Sequence, residues 1–233
     1  MIDHKIPILC YVTDRRSLSV PSAAAGVLAE KIGEIAAAGI DWVQIREKDL
    51  SAQELAALTR KAISRRSSAR IIVNDRADVA TTEGAGGVHL GESSLPVTEV
   101  AKWVKRSKSG VVVNDHGVAS QLPVEASGDF LIGASCHSLK GAKAAARDGA
   151  DYIFFGPVFA TPSKAKFGEP QGVQMLAAVC SAVPVPVIAI GGITLENSGE
   201  CIAAGASGIA AIRLFQDAAV PAQVVSALRK LRR

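Results

Sequence analysis

Short apolar runs and amphipathic stretches alternate along the whole chain, and this rhythm limits the fold more than any other feature. Residues 8–13, 42–46, 70–74, 87–90, 130–135, 152–155, 185–190 and 208–212 read as strands. Residues 23–38, 51–66, 96–106, 138–148, 173–182, 194–204 and 219–231, with a short segment ending at Glu83, read as helices. The strand runs are dominated by Val, Ile, Ala and Leu, as in a parallel sheet covered on both faces. Strict alternation predicts such a sheet, open or closed. Eight near-equal units in 233 residues favour closure into a single (β/α)8 TIM barrel, a fold of typically ~250 residues. An open doubly wound sheet would usually carry a GxGxxG turn after its first strand, and this chain has none there.

Local signals agree with that reading. Ser51 followed by Glu54 forms a capping box, and Ser138 caps the helix after the fifth strand. Gly39, Gly84, Gly149 and Gly205 stand where helices end, as C-caps. Residues 108–129 interrupt the rhythm within an otherwise single domain spanning 1–233. This stretch is too long for a simple connection and predicts an extra strand or an excursion on the barrel. Its Val111-Val112-Val113-Asn114-Asp115 echoes Ile71-Ile72-Val73-Asn74-Asp75, which we read as chance recurrence of a common strand end.

Charge and cysteine usage exclude several classes. The net charge of +4 is spread along the chain, with concentrations at 102–108 and 229–233. Aromatics make up only 4% of residues, so no basic face interleaved with aromatics predicts a nucleic-acid partner. A modest basic balance suits a small anionic substrate. The four cysteines lack metal-ligand spacing and read as small core residues. No apolar run predicts a membrane span or a secretory leader, so a cytoplasmic location is expected.

In a barrel, chemistry gathers at the C-terminal ends of the strands. The second strand ends in Gln44-x-Arg46-x-Lys48, whose alternate residues share one face. Three long polar side chains there point to recognition of a polar ring and phosphate, or else to an ion-pair network with Glu47 or Asp75. Asn74-Asp75 after the third strand could hold Mg²⁺, since one carboxylate with substrate phosphates and waters suffices, or Asp75 could cap a helix. The glycines at 191–192 and 205–208 around the seventh and eighth strands suggest a phosphate site, or two tight turns. Thr161, Ser163 and Lys164 lie in a loop that could close over an anion or be ordinary surface. His137 reads as a proton shuttle or, slightly favoured, a rim histidine bonded to a carbonyl. His89, inside the fourth strand, reads as structural.

Together the motifs resemble thiamine-phosphate synthase. They are Tyr11-Val12-Thr13-Asp14, Val43-Gln44-Ile45-Arg46-Glu47-Lys48, Val73-Asn74-Asp75-Arg76-Ala77-Asp78, Gly87-Val88-His89-Leu90-Gly91 and Gly133-Ala134-Ser135-Cys136-His137-Ser138. Gly149-Ala150-Asp151-Tyr152, Gly156-Pro157-Val158-Phe159-Ala160-Thr161-Pro162-Ser163-Lys164 and Ala189-Ile190-Gly191-Gly192-Ile193-Thr194 complete the set. The resemblance implies a Mg²⁺-dependent transferase that joins hydroxymethylpyrimidine diphosphate to thiazole phosphate and releases pyrophosphate. It implies that Gln44, Arg46, Lys48 and Asn74 hold the diphosphate substrate and that Asp75 binds the metal. Ser135 would contact the pyrimidine or leaving group. Thr161, Ser163 and Lys164 would bind phosphates, with Lys164 neutralising pyrophosphate, and Gly192 with the strand-eight amides would hold the thiazole phosphate.

Three departures stand out. The family's second metal carboxylate falls at Ser94, with Glu92 nearby as a substitute that needs a backbone shift. The family's Ser at the thiazole phosphate falls at Arg213, which could bind the phosphate as a fork donor. The third is the stretch 108–129. These leave two alternatives: a thiazole tautomerase using His137 as the proton shuttle, and a non-catalytic regulator that binds a thiamine precursor.

Overall fold

The computed structural model describes residues 7–18, 24–108, 112–113, 119–120, 130–161 and 169–231. Eight parallel strands close into a barrel: β1 (Ile8–Val12), β2 (Trp42–Ile45), β3 (Arg70–Asn74), β4 (Gly87–Leu90), β7 (Leu131–Cys136), β8 (Tyr152–Phe155), β9 (Val187–Ile190) and β10 (Gly208–Ala211). Closure is made by β1, which pairs with β2 through Cys10↔Trp42 and with β10 through Ile8↔Gly208. Between β4 and β7, the short strands β5 (Val112–Val113) and β6 (Ala119–Ser120) pair antiparallel in a sheet of their own. β4 pairs directly with β7, and of the stretch 108–129 between them only Lys108, β5 and β6 are among the described residues.

The helices around the barrel are α1 (Ala24–Ala37), α2 (Ala52–Arg65), α3 (Ala77–Thr82), α4 (Val97–Lys108), α5 (Leu139–Arg147), α6 (Gly172–Ala182), α7 (Ser198–Ala203), α8 (Arg213–Gln216) and α9 (Pro221–Arg229). α2 shows how sequence sets such an element. The Ser51 side chain accepts from the Glu54 N–H and Glu54 accepts from the Ser51 N–H, a capping box of about 1 kcal/mol. Leu55, Leu58, Thr59 and Ala62 then form the buried stripe. Ser138 caps α5 through the Gly141 N–H. Gly39, Gly84, Gly149 and Gly205 all have positive φ at helix ends, as C-cap glycines do.

Two elements differ from expectation. α7 starts at Ser198 rather than 194, because the Asn197 side chain accepts from the Thr194 N–H and donates to the Gly192 carbonyl. That asparagine holds residues 194–197 as a turn. The extra helix α8 follows β10 directly and carries Arg213 at its start, so the last strand is followed by two helices.

Two apolar layers form the core. Strand residues such as Leu9, Tyr11, Val43, Ile71 and Ile153 pack outward against the helices. The alternate residues Ile8, Cys10, Val12, Trp42, Ile72, Leu131, Tyr152, Phe154, Ile188 and Ala210 fill the barrel itself. Aromatics are few, yet Trp42, Tyr152 and Phe154 meet inside the barrel, with the Trp42 and Tyr152 rings 4.7 Å apart. Gly133 on β7 makes this possible, since a Cβ there would lie 2.0 Å from Tyr152 Cζ. Gly133→Ala is therefore expected to lower stability by about 2–3 kcal/mol, read from the midpoint of urea unfolding.

Candidate active site

Strand periodicity builds the site. Above the apolar filling, inward-facing positions become polar: Gln44 on β2, Asn74 on β3, His89 on β4 and Ser135 on β7. Register sets Asn74 opposite His89 and places Gln44 beside Ile72. Because these residues line the C-terminal ends of adjacent strands, they face the barrel mouth as one group.

The first cluster centres on Asp75. Gln44 is buried and donates Nε2–H to Asn74 Oδ1 at 3.1 Å; Asn74 Nδ2–H donates to Asp75 Oδ2 at 2.7 Å. On the other oxygen, Asp75 Oδ1 accepts from the Gly91 N–H at 3.2 Å and from the Ser94 hydroxyl. Lys48 Nζ stands 3.9 Å from Asp75 Oδ2. Burial pushes the Asp75 carboxyl up. The bonds from Ser94 and Gly91, the Lys48 charge and the Asn74 bond outweigh this and hold it below the usual carboxylate range. Asp75 also has φ +62°, a left-handed conformation rare for a non-glycine residue and frequent at functional sites.

Two expectations are corrected here. Asp75 does not cap the following helix: the N-cap of α3 is Arg76, which makes no side-chain cap bond. Lys48 does not extend a strand face, since β2 ends at Ile45; it reaches Asp75 from the turn beyond. Ser94, at the place of the expected metal carboxylate, bonds Asp75 through its hydroxyl, and Glu92 stands exposed nearby in the chain. No group of three or more His, Cys, Asp or Glu side chains suited to a metal occurs among the described residues.

His89 takes a larger part than its sequence setting suggested. Its Nε2 lies 2.9 Å from Ser135 Oγ and its Nδ1 3.1 Å from the Tyr152 hydroxyl. A neutral ring donates through one nitrogen and accepts through the other, so it can bond both hydroxyls at once. Burial drives its pKa from 6.5 down to about 3; Asp75 opposes the shift and Arg46 adds to it. The useful signal was the strand period, which puts His89 in the same inward layer as Asn74. Arg46 has no ion-pair partner among the described residues, although its neighbour Glu47 is an acid.

His137 follows β7, and its Nδ1 bonds the Gly156 carbonyl. A carbonyl only accepts, so Nδ1 carries the proton, in line with the favoured reading of a rim histidine. Across the mouth, Gly191 (φ +97°) and Gly192 (φ +68°) turn the chain after β9 against the loop after β8. A Cβ on Gly192 would meet the Ala160 carbonyl oxygen at 2.5 Å. The Gly192 N–H has no hydrogen-bond partner among the described residues. Arg213 stands exposed beside this turn's side of the mouth, just after β10. Gly205 and Gly208 belong elsewhere: Gly205 precedes β10 and Gly208 is its first residue, at the opposite end of the barrel, so the expectation that they frame a phosphate is corrected. Thr161 is half-buried in the loop after β8; Ser163 and Lys164 lie outside the described residues.

A family model described as thiamine monophosphate synthase matches residues 9–116 and 114–215. The chain belongs to the thiamine monophosphate synthase family. It is 36% identical over 227 residues to the thiamine-phosphate synthase of Chlorobium luteolum, covering 95% of this chain and 91% of the relative. It is 41% identical over 179 residues to that of Methanoculleus marisnigri, covering 76% and 74%. Among solved structures, thiamine phosphate pyrophosphorylase from Pyrococcus furiosus superposes with a TM-score of 0.75 at 28% identity, over 97% of this chain and 96% of that one. A 3-hexulose-6-phosphate synthase superposes at 0.66 with 18% identity, a likeness of fold alone. No described helix of this family member is long and apolar enough to cross a membrane.

The His89 environment has a consequence for acid stability. Below pH 6.5 the unfolded chain takes up a proton that the folded chain, with its His89 pKa near 3, refuses. The contribution is full above pH 6.5 and falls as pH drops toward 3, reaching a loss of about 2 kcal/mol by pH 5. Urea unfolding at pH 7.5 and pH 5 should show this extra loss in the unmodified protein and not in His89→Gln.

Proposed function

We propose that this chain is a thiamine-phosphate synthase acting on small phosphorylated substrates in the cytoplasm. It would join hydroxymethylpyrimidine diphosphate to thiazole phosphate and release pyrophosphate. The observation that carries this reading is the convergence of Gln44, Arg46, Lys48, Asn74 and Asp75 on one side of the mouth, with the Gly192 turn on the other. Such an arrangement offers separate places for a diphosphate and a monophosphate.

In the reaction, the bond from the pyrimidine methylene carbon to the diphosphate oxygen breaks and its electron pair leaves with pyrophosphate. The thiazole nitrogen then supplies its lone pair to that carbon. The protein's work is to favour negative charge on the leaving group. Arg46 and Lys48 would hold the diphosphate, with Lys164 completing the set. Gln44 would fix Asn74 and so orient Asp75. Ser135, held by His89, would contact the pyrimidine. The N–H of Gly192 and the Arg213 guanidinium would take the thiazole phosphate, with Thr161 and Ser163 contributing hydroxyls.

Magnesium fits the residues present. Asp75 is held ionised, and Ser94 donates its proton to Asp75 while accepting the Gly91 N–H at 2.6 Å, which leaves one hydroxyl lone pair available. A carboxylate and a hydroxyl, both hard oxygen donors, suit an ion that usually takes one or two carboxylates and completes its shell with phosphates and water. Asp75 with Ser94, and Glu92 after a backbone shift, would hold it. When bound it would neutralise diphosphate oxygens.

The tautomerase reading rests on His137, whose Nδ1 bonds Gly156 and whose Nε2 has no hydrogen-bond partner among the described residues. One assay separates the readings. With both phosphorylated precursors and Mg²⁺, the synthase should yield thiamine phosphate and pyrophosphate; absence of product at high protein concentration would sink it. Isomerisation of the thiazole carboxylate phosphate, lost in His137→Ala, would favour the tautomerase. Binding of a precursor with neither activity would favour the regulator. For a synthase, Lys48→Ala should lower turnover by roughly 10²-fold or more. His137→Ala should cost less, and the reverse order would count against the assignment.

A further inference from the structure

The loop after β2 reads Arg46-Glu47-Lys48-Asp49, with two cations and two acids in strict alternation. Left to themselves, four such neighbours would pair with one another, and the cations would arrive at a diphosphate already neutralised. The structure separates them. Lys48 turns toward Asp75 beyond β3. Glu47 and Asp49 turn the opposite way round the barrel, toward the loop after β1, and both are taken by Arg15. Arg15 Nη1 donates to Glu47 Oε2 at 3.0 Å and to Asp49 Oδ1 at 2.6 Å, and its Nη2 bonds Asp49 Oδ2. Arg16 adds a second contact to Asp49 at 2.9 Å.

The inner member of this set is locked. The Glu47 side chain is 2% exposed. Its Oε1 accepts from the Arg15 N–H at 3.1 Å and from the Thr13 hydroxyl at 2.6 Å. Because the carboxylate only accepts, the Thr13 proton must point at Glu47. The Thr13 oxygen is thereby left to accept the Arg46 N–H, which it does at 3.0 Å. Donors thus converge on Glu47 from two sides, the Arg46 amide through Thr13 on one and Arg15 on the other. The bonds to Asp49 first, and to Glu47, raise the Arg15 pKa, and the Arg15 bond is the chief cause of the low Asp49 pKa. Arg46, one residue from Glu47, has no ion-pair partner among the described residues.

We propose that Arg15 is a charge-sorting, positioning residue that holds Glu47 and Asp49 on the β1 side of this loop, so that neither acid neutralises Arg46 or Lys48 ahead of an incoming diphosphate. Arg15 itself need not touch substrate. The proposal rests on the synthase reading, because it assigns the diphosphate to Arg46 and Lys48. One charge released roughly 12 Å from an anion, at an effective dielectric of ~20, changes affinity by about tenfold.

The test titrates inorganic pyrophosphate with Mg²⁺ into the full chain by calorimetry and measures the Michaelis constant of each substrate. Arg15→Met should weaken pyrophosphate binding and raise the diphosphate-substrate KM by roughly tenfold, with the thiazole-phosphate KM unchanged. Adding Glu47→Gln and Asp49→Asn to Arg15→Met should restore both, since no carboxylate is then left to sequester. If Arg15→Met does not fold, Arg15→Lys replaces it in both arms; a single ammonium can hold only part of the two-carboxylate set, and a smaller loss with the same rescue is expected. Equal pyrophosphate affinity in wild type and variant would overturn the inference, as would a loss that the triple variant fails to rescue or that strikes both substrates alike. If the unmodified chain bound no pyrophosphate, the synthase reading and this inference would fall together; product formation with an indifferent Arg15 removes only the latter.

Discussion

With β1 hydrogen-bonded to β2 on one side and β10 on the other, the sheet has no free edge, and each strand residue must face either the barrel interior or the helices. That two-fold choice governs the rest. Inward positions are apolar while they lie deep, where Trp42, Tyr152 and Phe154 fill the interior. They become polar where the interior opens, at Gln44, Asn74, His89 and Ser135. The site is the upper continuation of the core's own alternation. Each of its polar groups must be satisfied by a neighbour in the ring, because solvent reaches it only from above.

This explains the directed hydrogen bonds. Gln44 can lend a proton to Asn74 and Asn74 one to Asp75, so the chain ends on the residue that only accepts. His89 serves two hydroxyls with one ring and stays neutral because the interior penalises its charge. Cations and acids are treated differently: Glu47 is buried against Thr13 and Arg15, while Lys48 stays half-exposed. In this loop the inner acid is held in a bonded pocket and the lysine stands at the opening.

Much of this was readable from residue order because its causes are local. The strands at Arg70–Asn74, Gly87–Leu90 and Tyr152–Phe155 have the ends expected of them, each bounded by turn-forming residues, and the Ser51 capping box formed as its spacing required. The misreadings have causes that lie across the fold. Asn197 reaches back to Gly192 and shortens a helix that periodicity alone would begin at 194. α8 is a single turn, too short to show a period. Gly205 and Gly208 resembled a phosphate cradle in composition but sit at the wrong end of a strand. The role of His89 depended on Ser135, 46 positions away and one strand over, and Arg15 had no neighbour in sequence to betray its two carboxylates.

The seam between the first and last strands carries more than backbone pairing. Tyr11 donates its hydroxyl proton to Gln216 at 2.6 Å, and the same glutamine bonds the Asp14 backbone and the Ser17 hydroxyl. Arg229 reaches the Gly39 carbonyl and Asp41. Contacts spanning some two hundred residues are among the slowest for a chain to find. During synthesis, the loop that bears Arg15 stays without its glutamine tether until residue 216 has emerged. One corner of the site is thus among the last parts of the molecule to be assembled, although its residues are among the first to be made.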